Sequence, residues 1–199
     1  SYQLMKNRVF PIVDQSQDPV FFILIDNLRY DQWKVIQPIL NEYFHMEEEA
    51  AYCSILPTAT QYARNAIFSG LMPAEIEKRF PDKWVNDEDE GGKNMYEDFF
   101  LGEQIQRLRK NYRYSYTKVT NIDAGKDLAE NISNLFKNQL NVIVYNFVDM
   151  LSHARTEMEV LKELAEALKW EDELAAQTKK LIMYPAFVGS IVMLVTFFL

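Results

Sequence analysis

Apolar positions along this chain fall into two kinds of run. At Val20–Ile25 (VFFILI) and over residues 142–148 (VIVYNFV) they are nearly continuous and rich in β-branched and aromatic residues. That is how a parallel strand covered on both faces reads. Each run ends at an acid, Asp26 and Asp149. Elsewhere the apolar residues recur at helical spacing. Trp33, Ile36, Leu40 and Phe44 predict a helix over 30–43, with Pro38 inside it as a source of a kink. A second strand is predicted over 50–56 (AAYCSIL), then a loop over 57–60 (PTAT) and a helix through Phe68 that Gly70 stops. A short helix follows at 73–79, a loop at 82–94, an amphipathic helix at 95–110 and a strand at 114–120. A further helix is predicted over 123–137, with Leu128, Ile132, Leu135 and Phe136 on its apolar face, and a long one starts near Ser152. The acidic run 87–90 reads as a solvated turn, because calcium loops place their ligands at alternating positions.

Strand and helix alternate, which predicts an α/β fold: a mostly parallel sheet with helices on both faces. In such sheets ligands sit beyond the carboxyl ends of the strands. The positions to examine are therefore Asp26, the 57–60 loop and Asp149.

Composition narrows this picture. The 199 residues leave room for one domain and little more, and 48% hydrophobic content is enough for a real core. A net charge of −8 argues against a protein that coats duplex nucleic acid through a basic face. It leaves a nucleotide substrate open, since a bound metal supplies local positive charge. Cys53 is the one cysteine, so no intrachain disulfide forms; a reducing cytoplasm fits, and Cys53 reads as a small buried hydrophobe. Residues 1–18 lack the layout of a signal peptide. Residues 181–199 (LIMYPAFVGSIVMLVTFFL) carry no charge, close to the roughly 20 apolar residues that span a bilayer as a helix. Lys179 and Lys180 before them favour a cytoplasmic N-terminal side. A buried terminal helix is the other reading.

Candidate chemistry gathers on the predicted carboxyl edge. Asp26 closes the first strand, Thr58 and Thr60 lie in the loop after the second, and Asp149 with His153 forms Asp-x-x-x-His after the last. Carboxylate and imidazole suit zinc or manganese, and a spacing of four on a helical turn puts both on one face. A hydroxyl beside such a metal can act as a nucleophile near neutral pH. Each residue also has a structural reading: Asp26 as a cap, the threonines as turn or N-cap residues, the Asp-x-x-x-His spacing as a coincidence. His45 reads as a surface or interface residue.

Three segments carry a resemblance. FFILIDNLRYDQW (residues 21–33) looks like the first metal-binding strand of the alkaline phosphatase superfamily. PTATQYARNAIFSG (57–70) resembles its nucleophile loop and helix, and VIVYNFVDMLSHAR (142–155) the strand that delivers a later Asp and His. With YQLMKNRVFPIV (2–13), residues 1–165 resemble the PglZ output domain of PorX-type response regulators of type IX secretion. The resemblance implies a metal-dependent phosphodiesterase with Thr60 as nucleophile (Thr58 second), one metal on Asp26 and Thr60, and another on Asp149 and His153. The metal implied is Zn2+, two ions in a complete domain and one or none here. The substrate class implied is a phosphodiester such as an oligonucleotide or cyclic nucleotide, and a sigma factor or secretion component is an implied partner.

The sequence departs from that family in two ways. No receiver domain precedes the region, and no histidine follows His153, so the expected Asp-His pair and final His are missing and the domain reads as truncated. Residues 170–199 resemble instead the juxtamembrane and transmembrane part of inner-membrane platform proteins of type II secretion and type IV pili. The expected layout is thus a partial PglZ domain over 1–165, a charged helix over 166–180 and a transmembrane segment over 181–199. An inactive signalling or binding module and a membrane-anchored secretion-platform fragment are the other functional expectations.

Overall fold

Four strands pair side by side, all in parallel, in the computed structural model, which describes residues 1–84, 93–146 and 191–195. The chain divides into two compact units, residues 1–17 with 51–113 and residues 18–50 with 114–199.

The sheet belongs to the second unit. Strands β1 (Val20–Ile25), β2 (Tyr114–Val119), β3 (Leu140–Tyr145) and β4 (Ile191–Val195) run in the order β2-β3-β1-β4. β1 pairs with β3 in the register Phe22↔Val142 and Leu24↔Val144. The two continuous apolar runs are thus the two inner strands, as their composition requires. Val20, Phe22 and Leu24 are buried, and in β3 every residue from Leu140 to Val144 is buried. Each apolar side chain among them contributes roughly 1.5–3 kcal/mol of burial. After β1, helix α2 (Tyr30–Leu40) turns Trp33, Ile36 and Leu40 inward against Leu28 and Ile25. Pro38 lies inside α2, which ends two residues later, consistent with the backbone donor that proline removes. Phe44, expected on the same face, is 45% exposed: the helix has ended, and its periodicity no longer places residue 44.

The helix expected over 123–137 is two elements, α6 (Ile122–Glu130) and a 3-10 turn at Ile132–Lys137. Asn131 separates them. Its N–H closes the last turn of α6 on the Asp127 carbonyl at 3.1 Å, and its side-chain amide donates to the same oxygen at 2.8 Å, a local side-chain bond of the kind that marks a helix end.

The apolar C-terminal stretch also departs from expectation. Its residues Ile191–Val195 form β4, paired along β1 from Phe21↔Ile191 to Ile25↔Val195, and not part of a transmembrane helix. A short run such as IVMLV satisfies a buried parallel strand as well as a helix, and periodicity alone does not separate the two. Among the described residues no helix is long and apolar enough to cross a membrane. Residues 181–190 and 196–199 of that expected segment lie outside the described residues.

The first unit is helical. A π-helical turn at Met5–Val9 runs into α1 (Phe10–Gln15), and α3 (Thr60–Ser69), α4 (Pro73–Arg79) and α5 (Glu97–Arg107) follow, with 3-10 turns at Pro81–Lys83 and Lys93–Tyr96 between α4 and α5. Met5, Val9 and Val13, four residues apart, are buried, which is the amphipathic spacing of a helix. α3 packs on α5, and from Ala63 to Ser69 it is buried at every position. Gly70 ends α3 at φ 65°, the left-handed conformation in which a side chain is strained.

The strand expected over 50–56 is absent: residues 51–55 carry no regular structure. Their polar backbone groups find partners at Ser1. Its amino group donates to the Cys53 carbonyl at 3.3 Å, and its hydroxyl accepts from the Ile55 N–H at 3.2 Å. Ile55 still packs inward, against Ala63 and Ala66. Cys53 is exposed, correcting its assignment to the core, because without a strand its apolar neighbours do not order its side chain inward.

Candidate functional site

Asp26 stands one residue beyond the carboxyl end of β1. Its N–H donates to the Tyr145 carbonyl at 2.9 Å, which extends the ladder to β3 by one bond. Asn27 then adopts φ 59°, a conformation asparagine tolerates better than most residues. That turn leaves the Asp26 carboxylate at the end of an inner strand, 1% exposed. The chain re-enters a helix directly, with the Arg29 N–H donating to Gln32 Oε1 at 2.9 Å ahead of α2. The strand-end placement read from the sequence is borne out for Asp26.

Thr58 and Thr60 belong to the other unit. The peptide between Leu56 and Pro57 is cis, and Thr58 follows in the irregular stretch, half-buried. Thr60 is the first residue of α3, also half-buried. Ala59 at the N-cap makes no side-chain cap. The threonines therefore do not follow a second strand, which corrects the expectation of successive strand ends. Thr60 instead sits where the helix dipole places its positive end, a setting that favours an anionic oxygen or phosphoryl group. On the approach to this loop, burial pushes the Tyr52 phenol well above its ordinary range.

Asp149 and His153 lie outside the described residues. Among the described residues no three or more His, Cys, Asp or Glu side chains converge on a common point. Asp26 by itself fits a divalent cation. It is a hard anionic donor almost fully withdrawn from water, and such a carboxylate is sustained by hydrogen bonds or by a cation. Thr60 offers a neutral hydroxyl, which becomes a good ligand only when deprotonated. His45 is exposed, as expected of a surface residue.

The sequence pattern does not single out the most buried charges among the described residues of the first unit. Arg64 and Glu97 are 2% and 0% exposed. Arg64 Nε donates to Glu97 Oε1 at 2.7 Å, and Nη2 donates to Oε2. The signal available was a charge set among apolar positions at helical spacing, Ala63 and Ile67 around Arg64, and Phe100 and Leu101 after Glu97.

No curated protein matches the chain. A family match runs from residue 4 to residue 195, through the change of character expected near 165 and across β4. The alkaline-phosphatase-like superfamily it belongs to typically uses metal ions, in keeping with a buried carboxylate at a strand end. Since the match takes in almost all of the 199 residues, the chain belongs to the PglZ family, the alkaline-phosphatase-like domains of the BREX system.

Proposed function

We propose that this chain is a metal-dependent phosphoryl-ester hydrolase acting on phosphodiesters. The observation that carries the reading is Asp26: a carboxylate 1% exposed at the carboxyl end of an inner parallel strand, in a chain of an alkaline-phosphatase-like family. Asp26, Asp149 and His153 would hold the cation, zinc by the superfamily's usage. When bound, it supplies a lowered pKa for a neighbouring hydroxyl and charge neutralisation for a phosphoryl oxygen.

The remaining roles fall to the chain. Thr60 Oγ1 attacks phosphorus as its proton leaves to solvent or to a neighbouring base, and the bond from phosphorus to the leaving alcohol breaks. A phospho-threonine results, and water hydrolyses it, returning the hydroxyl and releasing a phosphomonoester. The amino end of α3 favours the negative charge that gathers beside Thr60 throughout. Oligonucleotides and cyclic nucleotides are the substrates that suit this chemistry. The narrower context, an output domain of a response regulator tied to type IX secretion, rests on the resemblance of the quoted segments, and a sigma factor or secretion component is the partner it suggests.

The test is hydrolysis of bis(p-nitrophenyl) phosphate by the full chain with zinc or manganese added. We expect turnover, lost in Thr60→Ala and retained in Thr58→Ala. Turnover that survives Thr60→Ala rejects the assignment. A second reading, a binding module without turnover, is favoured by one feature: Asp26, Asp149 and His153 suffice for one cation and leave no carboxylate or imidazole for the second ion that the resemblance implies. Zinc retained by the chain, with no hydrolysis of any phosphodiester, is its signature.

A further inference from the structure

Buried ion pairs are a poor way to gain stability. Withdrawing two charges from water costs several kcal/mol per ion, and well-packed apolar residues often serve as well or better. Arg64 and Glu97 form such a pair in the described core. Its value lies in geometry. Two parallel bonds between a guanidinium and a carboxylate fix the plane and the separation of both groups. A helix anchored in this way can neither rotate nor slide without breaking both.

The anchor sits in a particular place. Arg64 is four residues after Thr60 in α3, so the two lie one turn apart on the same face. Glu97 is the first residue of α5, where the helix dipole favours its carboxylate. At the far end of α3, Arg107 of α5 donates to the Ser69 carbonyl. α5 therefore holds α3 at two points, and the rigid bidentate one is a single turn from Thr60.

We infer that Arg64 and Glu97 are positioning residues, which set the rotation of the first turn of α3 and so the direction of Thr60 Oγ1. This inference rests on the nucleophile reading of Thr60. A displacement of about 1 Å at a reacting group is worth on the order of 100-fold in rate. Positioning acts on the step in which Thr60 attacks, not on the affinity for substrate.

The test measures kcat and KM of the full chain for bis(p-nitrophenyl) phosphate, alongside thermal melts. The variants are Thr60→Ala, Glu97→Gln, Arg64→Lys, and Arg64→Met combined with Glu97→Leu. In Glu97→Gln and Arg64→Lys we expect kcat to fall about 10–100-fold with KM within a factor of three, at a temperature where each variant is fully folded. The Met/Leu double variant separates positioning from folding: it should melt at or above the wild-type temperature and still lose kcat to the same degree. Should either single variant fail to fold, the double variant decides alone. Wild-type kcat in the folded double variant overturns the inference while Thr60→Ala remains inactive. Activity that survives Thr60→Ala, or no wild-type turnover, removes the nucleophile reading and the inference with it.

Discussion

Ser115 of β2 donates its hydroxyl to Oδ1 of Asn141 in β3 at 2.7 Å. The same oxygen accepts from Asn138 Nδ2 at 3.0 Å, and the Asn141 amide donates to the Leu135 carbonyl at 3.1 Å. A fully buried asparagine thus sits in an otherwise apolar inner strand with its polar atoms engaged. It ties β3 to β2 and to the turn that leads into β3. Asn141→Leu keeps the volume but takes a partner from the Ser115 hydroxyl and the Asn138 amide, while the Leu135 carbonyl still accepts from the Asn138 N–H at 3.0 Å. We expect a loss of about 2–4 kcal/mol, at roughly 1–3 kcal/mol for each stranded group less the gain from leucine. The urea midpoint measures it. Adding Ser115→Ala in that background should recover part of the loss, since the two residues share one bond; strict additivity would contradict the network.

Gly70 is the second point where one residue type is required. At φ 65° an added Cβ would lie 2.8 Å from Gln104 Cδ and 3.2 Å from Arg107 Nη2. Gln104 is 1% exposed and has little room to withdraw. Gly70→Ala should therefore cost about 2–4 kcal/mol, combining left-handed strain with overpacking. A midpoint within experimental error of wild type would show that α5 yields at this contact.

Stability in acid should depend on Asp14. Hydrogen bonds first from Lys110 and then from Tyr112 hold its carboxyl below the ordinary value of 3.8, the Tyr112 bond being 2.6 Å long. A carboxyl whose folded pKa is depressed adds stability that is present above its unfolded pKa. That stability is lost as the pH falls through the folded value. Wild type should accordingly lose urea stability more steeply than Asp14→Asn as the pH drops below about 4, and the two curves should run parallel at neutral pH. Parallel curves throughout would mean that the pair does not persist in solution.

How much of this could be read in the sequence depends on whether a segment's partners are local. β1 and β3 are legible because inner parallel strands must be apolar throughout, and Asp26 follows from them as the first polar residue past the end. The helix at Pro73–Arg79 is legible from its own first-turn proline. The 50–56 segment is not. Its apolar residues read as a strand, but its backbone partners lie at Ser1, about fifty residues away, and no local pattern encodes them. β4 fails for the same reason. Five apolar residues become a strand only because β1 offers an edge, and from sequence they merge with a longer apolar stretch. The Arg64–Glu97 pair is hidden because each charge, seen alone, looks like a surface residue.

The strongest prediction for the site concerns Asp26. Its burial at the end of β1 is costly for a carboxylate unless a cation or hydrogen bonds compensate it, and the alkaline-phosphatase-like superfamily typically uses metal ions. Asp26→Asn keeps the shape and one acceptor oxygen, removes the charge and puts an NH2 donor in place of the second oxygen. A purely structural Asp26 would leave metal binding unaltered in this variant. As a ligand it would not: zinc affinity should weaken at least tenfold, because loss of even a supporting residue behind a metal ligand costs on the order of 10–100-fold. Titration of the full chain with zinc, read by elemental analysis after dialysis, distinguishes the two. Far-UV circular dichroism of the same samples confirms that β1 and its neighbours remain folded. Unchanged zinc content in a folded Asp26→Asn variant would leave Asp26 as a strand cap and move the search for the metal centre to Asp149 and His153.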